Sequence, residues 1–300
     1  MNFSKKNHEH HKLNKIMVSK KMNLTRNMLV VLAVFTLTFF GCSDNEAVEI
    51  DEQELQQDYS EVVLSSEIDE ASSAMDDIAI DVFETQENSE VGRTLPDFDV
   101  PDCVTITVVV EQNFREITID FGTKGCLIRG NVLKGKIILS YERNPEAQQV
   151  LITKTLDVFY FNNKNIVGRT SILKELSNEN GNPQFTKTID LTVIWPDGVE
   201  ASRVGTKVRE WIEGHGSGVW SDNVFEITGN WTTTFRNGNA HSYEVVIPLR
   251  REVICHYFVS GSVDIERTNF SGVLDYGDGD CDNLATFTND NGNVREIILN

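Results

Sequence analysis

From Cys103 onward the chain alternates between apolar and polar positions. Phe185, Ile189, Leu191, Val193 and Trp195 share one parity, and Gln184, Thr186, Thr188, Asp190 and Thr192 take the other. That period of two marks a strand with one buried and one wetted face. Similar runs fall at about 103–111, 114–121, 135–142, 148–161, 165–176, 199–212, 223–235, 240–247, 253–264, 271–276, 284–288 and 293–299. Asn180-Gly181, Asp197-Gly198, Asn237-Gly238 and Asn291-Gly292 lie between runs and supply the positive φ of tight hairpins. No helix-length apolar period interrupts residues 100–300. Hairpins on short turns give antiparallel neighbours, so the expected fold is all-β, a long antiparallel meander. Several runs approach twelve residues, which favours a curved sheet or partial barrel over a compact sandwich.

Upstream the period changes. Leu64, Ile68, Ala71, Met75, Ile78 and Val82 recur at steps of 4, 3, 4, 3 and 4, one stripe on a helix. Ser65 and Ser66, with Glu67 and Asp69 just after, suit its N-terminus. One amphipathic helix is therefore expected over about 64–84, preceding the sheet. The stripe is short for a coiled-coil seam, so docking on the chain's own domain is the preferred reading. The flanks, 43–58 and 86–99, lack periodicity and read as linker. Together, 42–99 reads as an acidic tether.

The third pattern is a solid apolar run. Met28–Phe40, thirteen residues, follows Lys20, Lys21 and Arg26 and ends in Gly41-Cys42. It is shorter than the roughly 20 residues that cross a bilayer and has the regions of a secretory signal. With Ser43-Asp44-Asn45-Glu46 after the cysteine, it resembles a bacterial lipoprotein signal. That resemblance implies a signal peptide over 1–41, a lipid-modified Cys42 and export to the envelope. His8, His10 and His11 lie before Met17 and Met22, either of which gives a signal of ordinary length; the segment ahead of them reads as an upstream extension.

Charge sharpens this division. Of a net −19, residues 43–99 contribute nineteen acids against Arg93 alone, whereas residues 1–41 are basic. The β region is left only mildly acidic, with no basic patch to neutralise phosphates, so nucleic acid is not an expected partner.

Cys42 aside, the cysteines are Cys103, Cys126, Cys255 and Cys281. Outside the cytoplasm an even number suggests disulfides, with three possible connectivities. Asp120-Phe121-Gly122-Thr123-Lys124-Gly125-Cys126 and Asp275-Tyr276-Gly277-Asp278-Gly279-Asp280-Cys281 share the pattern D-[FY]-G-x3-C. Each follows an earlier cysteine and precedes a similar strand, Gly135–Leu139 or Arg295–Leu299. This reads as one module used twice, in cassettes 103–139 and 255–299, and predicts Cys103–Cys126 and Cys255–Cys281. The alternative joins Cys103 to Cys281 or Cys255. The two cassettes resemble those of uncharacterised all-β lipoproteins of Bacteroidota-type bacteria. The resemblance implies an outer-membrane, cell-surface envelope protein and carries no activity with it.

Candidate chemistry is sparse. Asp275, Asp278, Asp280 and Asp282 offer hard oxygen ligands for Ca²⁺, but the EF-hand order is absent. Glu213, His215 and Ser217 cluster in a glycine-rich loop too flexible for a nucleophilic site. No catalytic residue is assigned. Trp211, Trp220 and Trp231, near Trp195, would stack on glycan if one exposed face carried them; as core they would be buried. The expected function is a lipid-anchored, non-catalytic binding or structural module whose partners are the membrane and a glycan or envelope protein. The alternatives are an envelope hydrolase acting on glycan or peptide and a carrier of an apolar ligand.

Overall fold

The computed structural model describes residues 52–90, 101–144 and 146–299. The signal and lipidation readings at 1–42 lie outside these residues. Among the described residues one α-helix, α1 (Glu52–Glu90), precedes fourteen strands. They are β1 (Thr105–Glu111), β2 (Phe114–Asp120), β3 (Cys126–Ile128), β4 (Asn131–Glu142), β5 (Gln149–Phe161), β6 (Lys164–Glu175) and β7 (Gln184–Ile194). After these come β8 (Glu200–Glu213), β9 (Val224–Phe235), β10 (Ala240–Glu252), β11 (Ser260–Arg267), β12 (Phe270–Asp278), β13 (Leu284–Asn289) and β14 (Val294–Ile298). All form one antiparallel meander; β3 alone leaves the sequential path, pairing only with β4. The sheet is not closed into a barrel, so β1 and β14 are its edges.

Curvature comes from bulges and glycines set into long strands. Register shifts interrupt β4–β5, β5–β6, β8–β9, β9–β10, β10–β11 and β11–β12. At Gly135 in β4, a Cβ would stand 2.1 Å from the Val158 carbonyl oxygen. At Gly229 in β9, it would stand 2.2 Å from the Thr206 oxygen. Both have positive φ, 79° and 125°, so only glycine lets the neighbouring strand close in.

The sheet curls around α1. From Asp58 to Phe83 nearly every helical residue is buried or half-buried, whatever its direction. Ile68, Ala71, Met75, Ile78 and Val82 enter one apolar cluster with Ile117, Leu139, Phe159, Phe185 and Trp211. Tyr59 and Val62 enter a second with Trp231, Tyr243, Phe270 and Phe287. The stripe does dock on its own domain. Two expectations are corrected. The helix spans 39 residues rather than 64–84, and within 52–90 the acidic segment is the centre of the domain rather than a tether. The C-terminal extension carries no apolar period and is held by charge, whereas the N-terminal one adds a short period, Leu55, Tyr59 and Val62, that packs on the second cluster.

Candidate functional site: a cation-lined groove closed on an acidic helix

Between 52 and 90 the chain has thirteen Asp and Glu and no Lys or Arg. Such a helix needs positive charge around it, and the sheet supplies it from inward positions. In β8, Arg203, Lys207 and Arg209 share the parity of Ala201 and Trp211, so the alternation that buries the apolar residues buries the cations too.

The contacts run the length of the helix. Asp76 lies between Lys154 of β5 and Lys187 of β7, and Lys187 Nζ also donates to Ser72 Oγ at 2.9 Å. Asp69 receives Arg203 and Lys207; Arg203 further donates to the Ser65 carbonyl at 2.9 Å and to Thr233 Oγ1 at 3.1 Å. Asp77 receives Arg209 and, at 2.8 Å, Arg251. Toward the C-terminus Glu84 meets Lys174, and Glu87 accepts from Tyr141 and Arg143 at 2.7 and 2.8 Å. Aromatic faces extend the cation binding: Lys207 Nζ is 3.7 Å from the Trp231 ring centre, and the Arg209 guanidinium is 3.8 Å from that of Phe225.

Burial alone would raise these carboxyls, but the flanking cations overcome it and hold Asp69, Asp76 and Asp77 below the usual range. Burial also pushes Lys187 down to about 8 and Lys207 down, against the pull of their aspartates. Two other helix acids go the opposite way. Burial pushes Glu70 up to about 7, only partly offset by Lys164, and pushes Asp81 up to about 7 despite Arg129. Glu70 lines the crevice where the β3–β4 turn approaches the β10–β11 loop, and Asp81 is 3.6 Å from Arg129, which lines it as well. There a Cβ on Gly130 would come 3.0 Å from His256, and His256 Nδ1 is 3.9 Å from Glu70.

One set of three metal-type ligands is gathered among the described residues: Asp58, Glu61 and His241, their atoms within 4.8 Å of one another and all buried. It reads as a closed charge network. Glu61 accepts from Gln57, Asn237 and Asn239 and is 2.7 Å from His241 Nε2, while Asp58 pairs with Arg267. A metal ion would have to displace those donors and sit beside a guanidinium. Three cavities along the helix, about 10, 20 and 30 Å³, have room for no more than a water or two each.

The residues singled out in the sequence are placed as follows. Cys103–Cys126 and Cys255–Cys281 are bonded within their cassettes, each with Cα atoms 5.6 Å apart. Asp120 Oδ1 accepts from the Gly122 amide at 2.8 Å and Asp275 Oδ1 from the Gly277 amide at 2.7 Å, matching corners of the two cassettes. The match extends to the strands, β1–β2 answering β11–β12 and β3–β4 answering β13–β14; it breaks where β2 pairs with β4 while β12 pairs with β13. Asp275, Asp278, Asp280 and Asp282 are exposed, and they do not converge into a ligand set; Asp282 instead caps the Leu284 amide. The glycan platform is corrected. Trp211 and Trp231 are buried, Trp211 donating to Asn223 and Trp231 stacked on Tyr243, while Trp220 is half-buried with Arg129 over its ring. Glu213 pairs with Arg250, and Ser217 donates to Asp222, so no triad forms with His215.

Sequence reasoning missed the groove itself. The available signal was basic residues on the buried parity of β7 and β8, matched to a long segment without a single cation. No protein-family model, curated protein or solved structure matches the chain.

Proposed function

We propose that the chain is an exported, lipid-anchored envelope protein that acts as a non-catalytic binding or structural module through its outer surface. One observation carries the reading: the concave face, where a curved sheet would take a ligand or substrate, is occupied by α1, with Asp69, Asp76 and Asp77 paired to cations of the sheet. The carrier alternative needs an apolar cavity and the hydrolase alternative a cleft with free carboxylates; the filled groove favours neither. Export is supported by the two bonded cysteine pairs and by the Met28–Cys42 pattern. Acyl chains on Cys42 would hold the protein at the membrane at roughly 0.8 kcal/mol per buried CH₂. Residues 43–51 would then be the whole link between anchor and helix, about 30 Å when extended.

The test is metabolic labelling with an alkynyl fatty acid, followed by membrane fractionation. The wild-type chain is expected to be labelled and membrane-bound, and Cys42→Ser unlabelled and released. An unlabelled wild type, or a Cys42→Ser chain still in the outer-membrane fraction, overturns the anchor. A purified protein that binds a fluorescent fatty acid stoichiometrically would restore the carrier.

A further inference from the structure

The two edges of the sheet differ. Phe121 N donates to Gly135 O at 2.9 Å and Arg143 N to Asn113 O at 2.7 Å, so odd-numbered residues of β2 face β4 and even-numbered ones face β1. The even-numbered residues are in register with Thr105, Thr107, Val109 and Glu111. Ile106, Val108 and Val110 therefore turn their N–H and C=O groups outward, and among the described residues no strand takes them. The edge is seven residues long without a register break. It carries no Lys, Arg or Pro, and Val109 and Val110 are exposed. Glu111 is its one charge and lies on the β2-paired set, and unbroken edges whose outward residues are uncharged recruit a further strand.

β14 is guarded. Leu299 N donates to Asn283 O, so Val294, Glu296 and Ile298 face outward there. Pairing two β14 strands through those groups would set Glu296 against its own copy, a like-charge contact. Arg295, its guanidinium 4.1 Å from the centre of the Tyr59 ring, adds a second charge to this five-residue edge.

We propose that β1 is a self-association edge, on which two copies of this chain pair their β1 strands antiparallel about a two-fold axis through Val108. In that register Val108 meets Val108 of the second copy, Ile106 meets Val110, and Thr105 meets Glu111, so no like charges oppose. The three outward residues of each copy become hydrogen-bonded pairs, giving six inter-chain bonds. The contact is isologous and closes as a dimer, whereas β1 against β14 would leave free edges and grow an open filament. The pairing goes beyond the lipid-anchor reading and does not rest on it.

Register gives the test. Hydrogen-bonded antiparallel partners have Cα atoms about 5.5 Å apart, within disulfide reach; residues four positions apart along the ladder are not. In the full-length chain purified in detergent, oxidised Val108→Cys is expected to form a covalent dimer at least tenfold more than Val110→Cys. Mixing the Val110→Cys and Ile106→Cys chains should restore cross-linking. Val108→Pro removes an outward N–H and leaves the β1–β2 ladder intact, so sedimentation should show the dimer lost. Equal or absent cross-linking at 108 and 110, a Val108→Pro chain that stays dimeric, or a ladder of higher oligomers overturns the proposal.

Discussion

Asp76 shows what a buried charge costs and gains in this fold. Lys154 and Lys187 approach it from neighbouring sides, and all three side chains are almost wholly out of water. Removing one partner leaves uncompensated charge in the interior, so Asp76→Ala should destabilise by about 3–5 kcal/mol, read by urea denaturation. Replacing the set together, Asp76→Leu with Lys154→Met and Lys187→Met, should recover most of that loss, because a packed apolar triad avoids desolvation. A cost below about 1 kcal/mol for Asp76→Ala would mean that water reaches the site, as it does at exposed pairs. Glu70 and Asp81 give the opposite pH signature. Glu70 faces Lys164, Glu67, Arg251 and His256, and Asp81 faces Arg129, Asp77 and Glu84. Burial raises both carboxyls to about 7 in the folded chain, from ordinary values of 4.5 and 3.8. Their contribution is therefore full below the unfolded values and is lost as pH rises through about 7. Asp69, Asp76 and Asp77, held low, contribute above the unfolded value and lose that contribution as pH falls through their folded values. Thermal midpoints should thus fall on both sides of a mildly acidic optimum. Glu70→Gln should match wild type near pH 4.5 and exceed it at pH 8; identical pH profiles would rule out a buried, neutral Glu70.

At the scale of elements, α1 depends on the sheet for its charge balance. Glu84 and Glu87 lie near its C-terminal end, with no base in the last turn, an unfavourable arrangement for the helix dipole. A peptide of residues 52–90 is therefore expected to be mostly unstructured at neutral pH and to gain helicity below about pH 4, where its acids are protonated; circular dichroism reads this directly. High helicity at pH 7 would show that the helix does not need the groove. The same dependence explains what was legible in the sequence. Leu64 to Val82 follow a helical period and were readable. Residues 84–90 are held by contacts such as Glu87–Arg143, which leave no local period. Residues 52–63 keep a short one, Leu55, Tyr59 and Val62, packed on the second cluster beside Asp58–Arg267 and Glu61–His241, and sequence reasoning missed it. Strands were readable because inward parity is apolar at most positions, as at Phe185, Ile189, Leu191 and Val193. Lys187 occupies that same parity, and only a partner elsewhere in the chain makes its burial tolerable. Asn180-Gly181, Asp197-Gly198, Asn237-Gly238 and Asn291-Gly292 all fall at turns, since positive φ is a local requirement.

At the scale of the molecule, meander order was legible because consecutive hairpins leave few other topologies. The helix's place inside the curl was not, because it rests on matching charges across separations of more than a hundred residues. The disulfides lie at the two ends of this arrangement. Cys103–Cys126 ties the entry to β1 onto β3, and Cys255–Cys281 ties the loop after β10 to the segment after β12. The β3–β4 turn and the β10–β11 loop are also the two walls of the crevice beside Glu70, so each bridge steadies one wall of the opening over the helix. Loops of 23 and 26 residues should each contribute about 3–4 kcal/mol by constraining the unfolded chain. Cys103→Ala/Cys126→Ala and Cys255→Ala/Cys281→Ala should therefore cost similar amounts in urea denaturation. The closed loops, 103–126 and 255–281, have no residue in common, so the four-fold variant should lose close to the sum. Non-reducing peptide mapping should recover only within-cassette pairs. A peptide joining the 103 or 126 region to 255 or 281 would mean that one bridge clamps both walls together, and the two losses would then cease to add.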